Sequence, residues 1–275
     1  MAFTPTSADQ AATSAQGVFV PGQYRHPKEN LYFLIAAITG GIIWIAIVLA
    51  IISLPLLILY VVFFGLAFAF MLFTLKAYFF GNALNVNDSQ CSEIYNQVKV
   101  IGGKLGVGVG KLPYVFVVNG NGMFNAFALR FVGRGYVVLM SSLVDHYLRE
   151  GRDKELHFII AHELAHHAAG HTALWKVLLT GIASWVPFLG KAYGRACEYT
   201  CDRAGVLVLN DRMACERSLL SLVHGSEALQ GKVNTDLFLA QEQHVPSFFG
   251  FLLEICSTHP RLTRRIQAVR TFLSA

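Results

Sequence analysis

Two histidines four residues apart, with a glutamate between them, are the groups in this chain best suited to chemistry: His162-Glu163-Leu164-Ala165-His166. On an α-helix, positions four apart lie one turn above each other, so both imidazoles can reach one ion at about 2.0–2.1 Å from each ligand nitrogen. Glu163 lies beside that face and can act as general base toward a water at the open coordination position instead of ligating the metal. Phe158-Ile159-Ile160 before the motif and Leu164-Ala165 within it make this a largely buried helix, where unpartnered imidazoles and a carboxylate are costly. A zinc ion supplies the partner they need.

A catalytic zinc also requires a third protein ligand and an open position for water. Glu198, in Glu198-Tyr199-Thr200-Cys201-Asp202, is the candidate. Carboxylates four apart share a helical face, so Glu198 is available to the metal while Asp202 can accept the free N–H of a ligand histidine and fix its tautomer. Standing alone, the pair would read as solvent-facing acids near Arg195 and Arg203. The upstream His-Glu-x-x-His spacing favours the zinc reading.

These groups need rigid elements beneath them. A helix over about 153–170 carries His162, Glu163 and His166, and another over about 193–209 carries Glu198 and Asp202. A third helix is expected near 88–103. The β-branched and aromatic runs at 112–118, 126–131 and 136–140, punctuated by Asn119-Gly120-Asn121-Gly122 and Gly133-Arg134-Gly135, predict a small antiparallel sheet. The glycines at 102, 103, 106, 108 and 110 satisfy neither phosphate-loop nor dinucleotide spacing, because Lys111 is followed by Leu112 and position 105 is leucine. The Arg-rich end after His259-Pro260 reads as a terminal amphipathic helix.

Apolar residues make up 54% of the 275 and charged residues only 14%, where an ordinary soluble domain is nearer ~25% charged. The excess has a clear source, since no charged side chain occurs from Leu31 to Leu75. Two spans, about 31–52 and 56–79, joined at Ser53-Leu54-Pro55, each exceed the ~20 residues that cross ~30 Å of hydrocarbon. Arg25, Lys28 and Lys76 flank this hairpin and predict both of its ends, and hence the catalytic domain, on the cytoplasmic side. Residues 1–30, rich in Ala, Thr, Ser, Gln and Pro, read as a flexible tail without a signal peptide. The expected organisation is therefore a tail (1–30), a transmembrane hairpin (31–80) and a catalytic domain (81–275). Within the last, the apolar stretch 173–190 is compatible with dipping into the membrane, packing on the core or adding a bent pair of spans. The net charge of +5 is spread too thinly to track a phosphate backbone, which argues against nucleic acid as a partner. Five cysteines at unpaired spacings read as reduced thiols, with Cys197 and Cys201 as small buried residues.

The segment from Glu155 through His171, with Arg195–Arg203, Asn125-Ala126-Phe127-Ala128 and His259-Pro260 followed by Arg265-Ile266, resembles in order and spacing the integral-membrane gluzincins. That family includes the heat-shock protease HtpX and the CAAX prenyl endopeptidase. The likeness spans roughly residues 85–270. Cys201 departs from the alanine the family usually carries before its acidic residue, a change that conserves small size. The resemblance implies an α+β, mostly α fold with a zincin-like domain behind a membrane hairpin, and one zinc ion per chain.

It also implies that Asn125, with Ala126 and Phe127, binds the substrate backbone and that His259 stabilises the tetrahedral intermediate. Arg265 reads as an ion-pair partner near the site, and no catalytic role falls to His157, His167, His171, His224 or His244. The expected activity is zinc-dependent endopeptidase cleavage of membrane or misfolded proteins at a bacterial-type inner membrane. Two rivals remain at this stage, an intramembrane zinc protease and an inactive zinc-binding membrane scaffold.

Overall fold

The uncharged run becomes two long helices in the computed structural model, which describes residues 17–54, 56–130, 133–149, 152–186, 189–229 and 231–272. After a single turn, α1 (Pro21–Tyr24), come α2 (Glu29–Ser53) and α3 (Leu56–Asn82), of 25 and 27 residues. At 1.5 Å per residue both exceed ~30 Å of hydrocarbon. Many of their apolar side chains are exposed, above all along α3. A bilayer is the solvent that suits such surfaces, and the two helices are long and apolar enough to cross one.

Residues 17–30 do not form the flexible tail that composition predicts, while 1–16 lie outside the described residues. Tyr24 and Glu29 are fully buried, and the Phe19 N–H donates to the Lys104 carbonyl at 2.7 Å. A few side chains that find partners in the folded domain outweigh the polar average of the segment. Composition alone cannot reveal such partners.

The sheet comprises β1 (Leu84–Val86), β2 (Tyr114–Val118), β3 (Ala126–Arg130) and β4 (Gly135–Met140), in the order β1-β2-β4-β3. It is mixed, which corrects the expected antiparallel sheet: β2 and β4 run parallel, with Phe116 opposite Val138, while β1–β2 and β3–β4 are antiparallel. Burial explains the arrangement. Every residue of β4 is buried, so it takes a central position, whereas the half-exposed β3 is left at the edge. Alternate residues serve two cores: Val137 and Leu139 face the main helical core, and Tyr136 and Val138 join Phe116 and Phe79 from the end of α3.

Around the inner face lie α4 (Ser92–Lys104), α5 (Ser141–Arg149) and α6 (Asp153–Ala168), and α7 (Leu174–Ala183) follows. The chain continues through α8 (Leu189–Leu209), α9 (Arg212–His224), α10 (Thr235–Ala240), α11 (Ser247–Cys256) and α12 (Leu262–Phe272). The observed class is thus mostly α with a small sheet. Helix α6 is the centre: Leu156, Phe158, Ile160, Ala161, Leu164 and Ala165 are all buried, on more than one side of the helix. His167 bonds the Tyr136 carbonyl at 3.2 Å and the Thr172 hydroxyl at 3.0 Å, tying the end of α6 to β4.

The open segment 173–190 yields α7, whose ten residues span only about 15 Å and cannot cross a membrane alone. It packs along α2, where the Leu179 backbone passes so close to Gly40 that a Cβ there would sit 2.0 Å from the Leu179 oxygen. The Trp44 indole N–H donates to the Leu178 carbonyl at 3.2 Å. Residues 187–188 lie outside the described residues.

Helices α6 and α8 approach closely because Gly205 lies against Phe158; a Cβ at 205 would come within 2.7 Å of the phenyl ring. Gly205→Ala should therefore force the ring aside and cost about 1–3 kcal/mol. Thermal unfolding of the detergent-solubilised protein would register this as a lower midpoint, and an unchanged midpoint would mean that the contact relaxes freely.

Candidate metal centre

Two helices and the segment before a third bring the chemistry-bearing residues together. Helix α6 presents His162, Glu163 and His166; α8 presents Glu198, Cys201 and Asp202, at i, i+3 and i+4 on one face; His259 lies just before α12, which carries Arg265. They meet at a cleft of ≈ 700 Å³ whose wall also includes Asn125, Ala126 and Phe127 from the β3 edge and Leu253 and Ser257 from the α11 side. Every site residue singled out from the sequence thus reaches one location, with Asp202 immediately behind His162. His157, His167, His224 and His244 do not line this cleft.

Nε2 of His162 lies 3.5 Å from one oxygen of Glu198, and Nε2 of His166 lies 3.5 Å from the other. Tetrahedral zinc with bonds near 2.1 Å has donor-to-donor edges of about 3.4 Å, close to each of these two approaches, which go to different oxygens of Glu198. One donor atom each from His162, His166 and Cys201 also falls within 4.8 Å of the others. Electrostatics separates the two candidate third ligands. Burial pushes the Cys201 thiol well above its usual range, and the charges of Glu198 and its neighbours push further, so it remains a neutral thiol. Burial likewise opposes charge on Glu198, but Arg265 and hydrogen bonds from His162, His166 and His259 outweigh it and hold the carboxyl well below its usual range. A ready carboxylate suits a cation better than a buried thiol.

The His162 ring is fixed from behind. Its Nδ1 lies 3.0 Å from Asp202 Oδ1, and Arg265 grips both Asp202 oxygens, at 2.8 and 2.7 Å. Burial disfavours charge on His162, yet its bonds to Asp202 and Glu198 prevail and push its pKa up to about 10. Arg265 Nη1 also lies 3.2 Å from Glu198. Glu163 has no such cationic clamp, and burial pushes its carboxyl up, the direction expected of a general base working near neutral pH.

His259 differs from these buried groups: its side chain is 67% exposed, and its Nδ1 sits 3.0 Å from Glu198. That hydrogen bond and the carboxylate charge raise its pKa. Asn125 is exposed at the cleft, where its Oδ1 accepts the Ala126 N–H at 2.9 Å and its carbonyl accepts the Met140 N–H. The amide group is thus oriented before any ligand arrives.

Two participants escaped the sequence reading. His171, expected to point off the metal face, brings its Nδ1 to 3.2 Å from His166 Nδ1, and Glu29 lies 3.3 Å from the far side of His171. The helix ends near Ala168, and the chain turns at Gly170, so helical spacing no longer describes where His171 points. Glu29, the last charged residue before the apolar run, was the only available signal, and it is 142 positions earlier by simple subtraction (171 − 29).

A mostly helical domain with a small mixed sheet, a His-Glu-x-x-His helix and a glutamate two helices later fits a metallopeptidase. The model of peptidase family M48 matches residues 92–182 and 173–273, and the chain belongs to that family. A curated relative, the plastoglobule-localized metallopeptidase 48 of Arabidopsis thaliana chloroplasts, is 30% identical over 132 residues, which cover 42% of this chain and 37% of that protein. The chain thus matches well under half of that relative's length.

Because Arg265 is buried among Asp202, Glu198 and His162, removing it strands two carboxylates. Arg265→Ala should cost about 3–5 kcal/mol, and Arg265→Lys, which keeps the charge but loses the fork, should fall between it and the parent. Thermal melts of the two variants test this order, and a Lys variant no better than Ala would show that geometry alone matters.

Proposed function

We propose that the protein is a membrane-anchored zinc endopeptidase, with His162, His166 and Glu198 as ligands of one zinc ion. The observation that carries this reading is the pair of 3.5 Å approaches of the two Nε2 atoms to opposite oxygens of Glu198, with Glu163 beside them in the cleft. Bound there, zinc would supply Lewis acidity, bringing the pKa of water towards ~7 and polarising a carbonyl oxygen. The remaining work falls to the chain.

Glu163 takes the proton of the attacking water and later returns it to the leaving amine. Its dry surroundings favour the neutral acid, which makes the returned proton available at neutral pH. His259, a donor on the open side of the cleft, stabilises the oxyanion that develops on the scissile carbonyl, a contribution of about 2.7–4 kcal/mol for one such group. The substrate lies extended along β3, which among the described residues is an edge strand in the sheet order β1-β2-β4-β3. Main-chain hydrogen bonds there set affinity, and Asn125, Ala126 and Phe127 set the register at the scissile bond.

The two long apolar helices support tethering at a bilayer. On this reading the substrates are misfolded or membrane proteins, and Arg25, Lys28 and Lys76 beside the hairpin favour a catalytic domain on the cytoplasmic face of a bacterial-type inner membrane. No residue of α2 or α3 lines the cleft, which favours a domain beside the membrane over intramembrane proteolysis.

Glu163→Gln should retain stoichiometric zinc and slow cleavage of an unfolded protein substrate by about 10²–10⁴-fold. Undiminished turnover with zinc bound would remove Glu163 from the mechanism. Glu198→Ala, analysed for metal after purification, should lose most of its zinc; full occupancy would shift the third ligand elsewhere, with Cys201 next in line.

A further inference from the structure

The two histidines on α6 are held from behind in different ways. His162 leans directly on a carboxylate, Asp202, which is in turn gripped by Arg265. Among the described residues, His166 has no carboxylate at its Nδ1. Its neighbour there is Nδ1 of His171, at 3.2 Å, and Nε2 of His171 lies 3.3 Å from Glu29 Oε1. Glu29 is secured in turn: Arg25 Nη1 donates to Oε1 at 2.5 Å, and the Thr200 hydroxyl donates to Oε2. Thr200 also accepts the His26 N–H at 2.8 Å. The pattern is ligand, carboxylate, arginine in both cases, with one imidazole inserted in the second.

The protons along this second path follow from the ligand assignment. A histidine that gives its Nε2 lone pair to a metal keeps a proton on Nδ1. That N–H of His166 must then donate, so His171 Nδ1 accepts and its own proton sits on Nε2, facing Glu29. The 3.3 Å approach of His171 Nε2 to Glu29 is within ion-pair range but is not aligned as a hydrogen bond, and Cys201 Sγ also lies 3.7 Å from His171 Nδ1, so the shorter 3.2 Å contact with His166 is the one the path uses. Glu29 is also the first residue of α2, the first of the two membrane-length helices.

We propose that Glu29, acting through His171, orients the metal ligand His166, so that the seat of the first membrane helix sets the geometry of the metal centre. This rests on the metal reading of His166 given above. Glu29 and His171 are positioning residues, since neither lines the cleft. A donor atom from Cys197 comes within 4.8 Å of donors from both, which raises a second metal site as the rival. The rival is weaker: Arg25 already neutralises Glu29 at 2.5 Å and would repel a divalent cation, and His171 Nδ1 is engaged with His166.

The test is zinc affinity, measured on the full-length protein in detergent by competition with a chromophoric chelator. His171→Phe and Glu29→Leu should each bind zinc about 10–100-fold more weakly than the parent, the usual effect of losing a group that orients a metal ligand. Because the two act in series, the double variant should be no weaker than the weaker single. Glu29→Gln, whose amide oxygen still accepts from His171, should lie between the parent and Glu29→Leu.

Parental affinity in both His171→Phe and Glu29→Leu, or losses that multiply in the double variant, would overturn the proposal. Should those changes prevent folding, the isosteric Glu29→Gln decides alone, since parental affinity there refutes it and measurable weakening supports it. His162→Ala separates the two layers of inference: if it too keeps zinc, the metal reading fails, and if it loses zinc while the His171 variant does not, only the relay fails. Two zinc ions in the parent, with the second lost in Cys197→Ser, would establish the rival and also overturn the relay.

Discussion

Arg265 holds two carboxylates from successive turns of α8, and most of the buried polar architecture depends on that grip. Asp202 and Glu198 are both almost fully enclosed, at 1% and 6% exposure, and two adjacent buried anions would be untenable without a fixed cation. The guanidinium satisfies Asp202 with two parallel bonds and still reaches Glu198 at 3.2 Å. A lysine could neutralise charge but could not serve both geometries at once. Helix α12 is therefore part of the candidate site, although it contributes no ligand to the proposed zinc.

Close packing of α6 on α8 is the second constraint. The separation is set by small groups, with Gly205 against Phe158 and Ala161, Ala165, Cys201 and Ala204 in the same core. This explains why a cysteine is tolerated at 201. It is small, fully buried and kept as a thiol by its surroundings, so it packs as an alanine would with a slightly larger volume. A bulkier residue there would separate Glu198 from His162 and His166, whose mutual approaches leave little slack.

What could be read from residues alone follows from how local each feature is. The spans, the His-Glu-x-x-His helix and the Glu198–Asp202 face are patterns of one helix each, and the helices appear within a few residues of their expected bounds. Three of the four strands were legible too, as local β-branched and aromatic runs, whereas the three-residue β1 (Leu84–Val86) was not expected. Their order was not legible: whether β4 pairs with β2 or only with β3 depends on which strand buries more area, a comparison across the whole domain. Residues 17–30 failed for the same reason. Their average polarity is that of a tail, but Tyr24 and Glu29 dock into partners far along the sequence, and only the fold brings Thr200 and His171 to them.

His171 illustrates the remaining gap. Counted along an ideal helix from His166, it faces away from the metal; past Ala168 the helix is over, and the turn at Gly170 swings the ring back to the ligand. The same turn delivers the chain into α7, which lies along α2 at Gly40. Two independent contacts, one polar through Glu29 and one apolar through α7, thus join the first long helix to the segment that follows the metal-binding helix. A shift of α2 along its axis would pull on both. An anchor attached by a loose linker would merely concentrate the enzyme at a membrane, whereas one seated this way shares its mechanical state with the end of α6. The position of that helix and the geometry around His166 are therefore linked in a single packed unit.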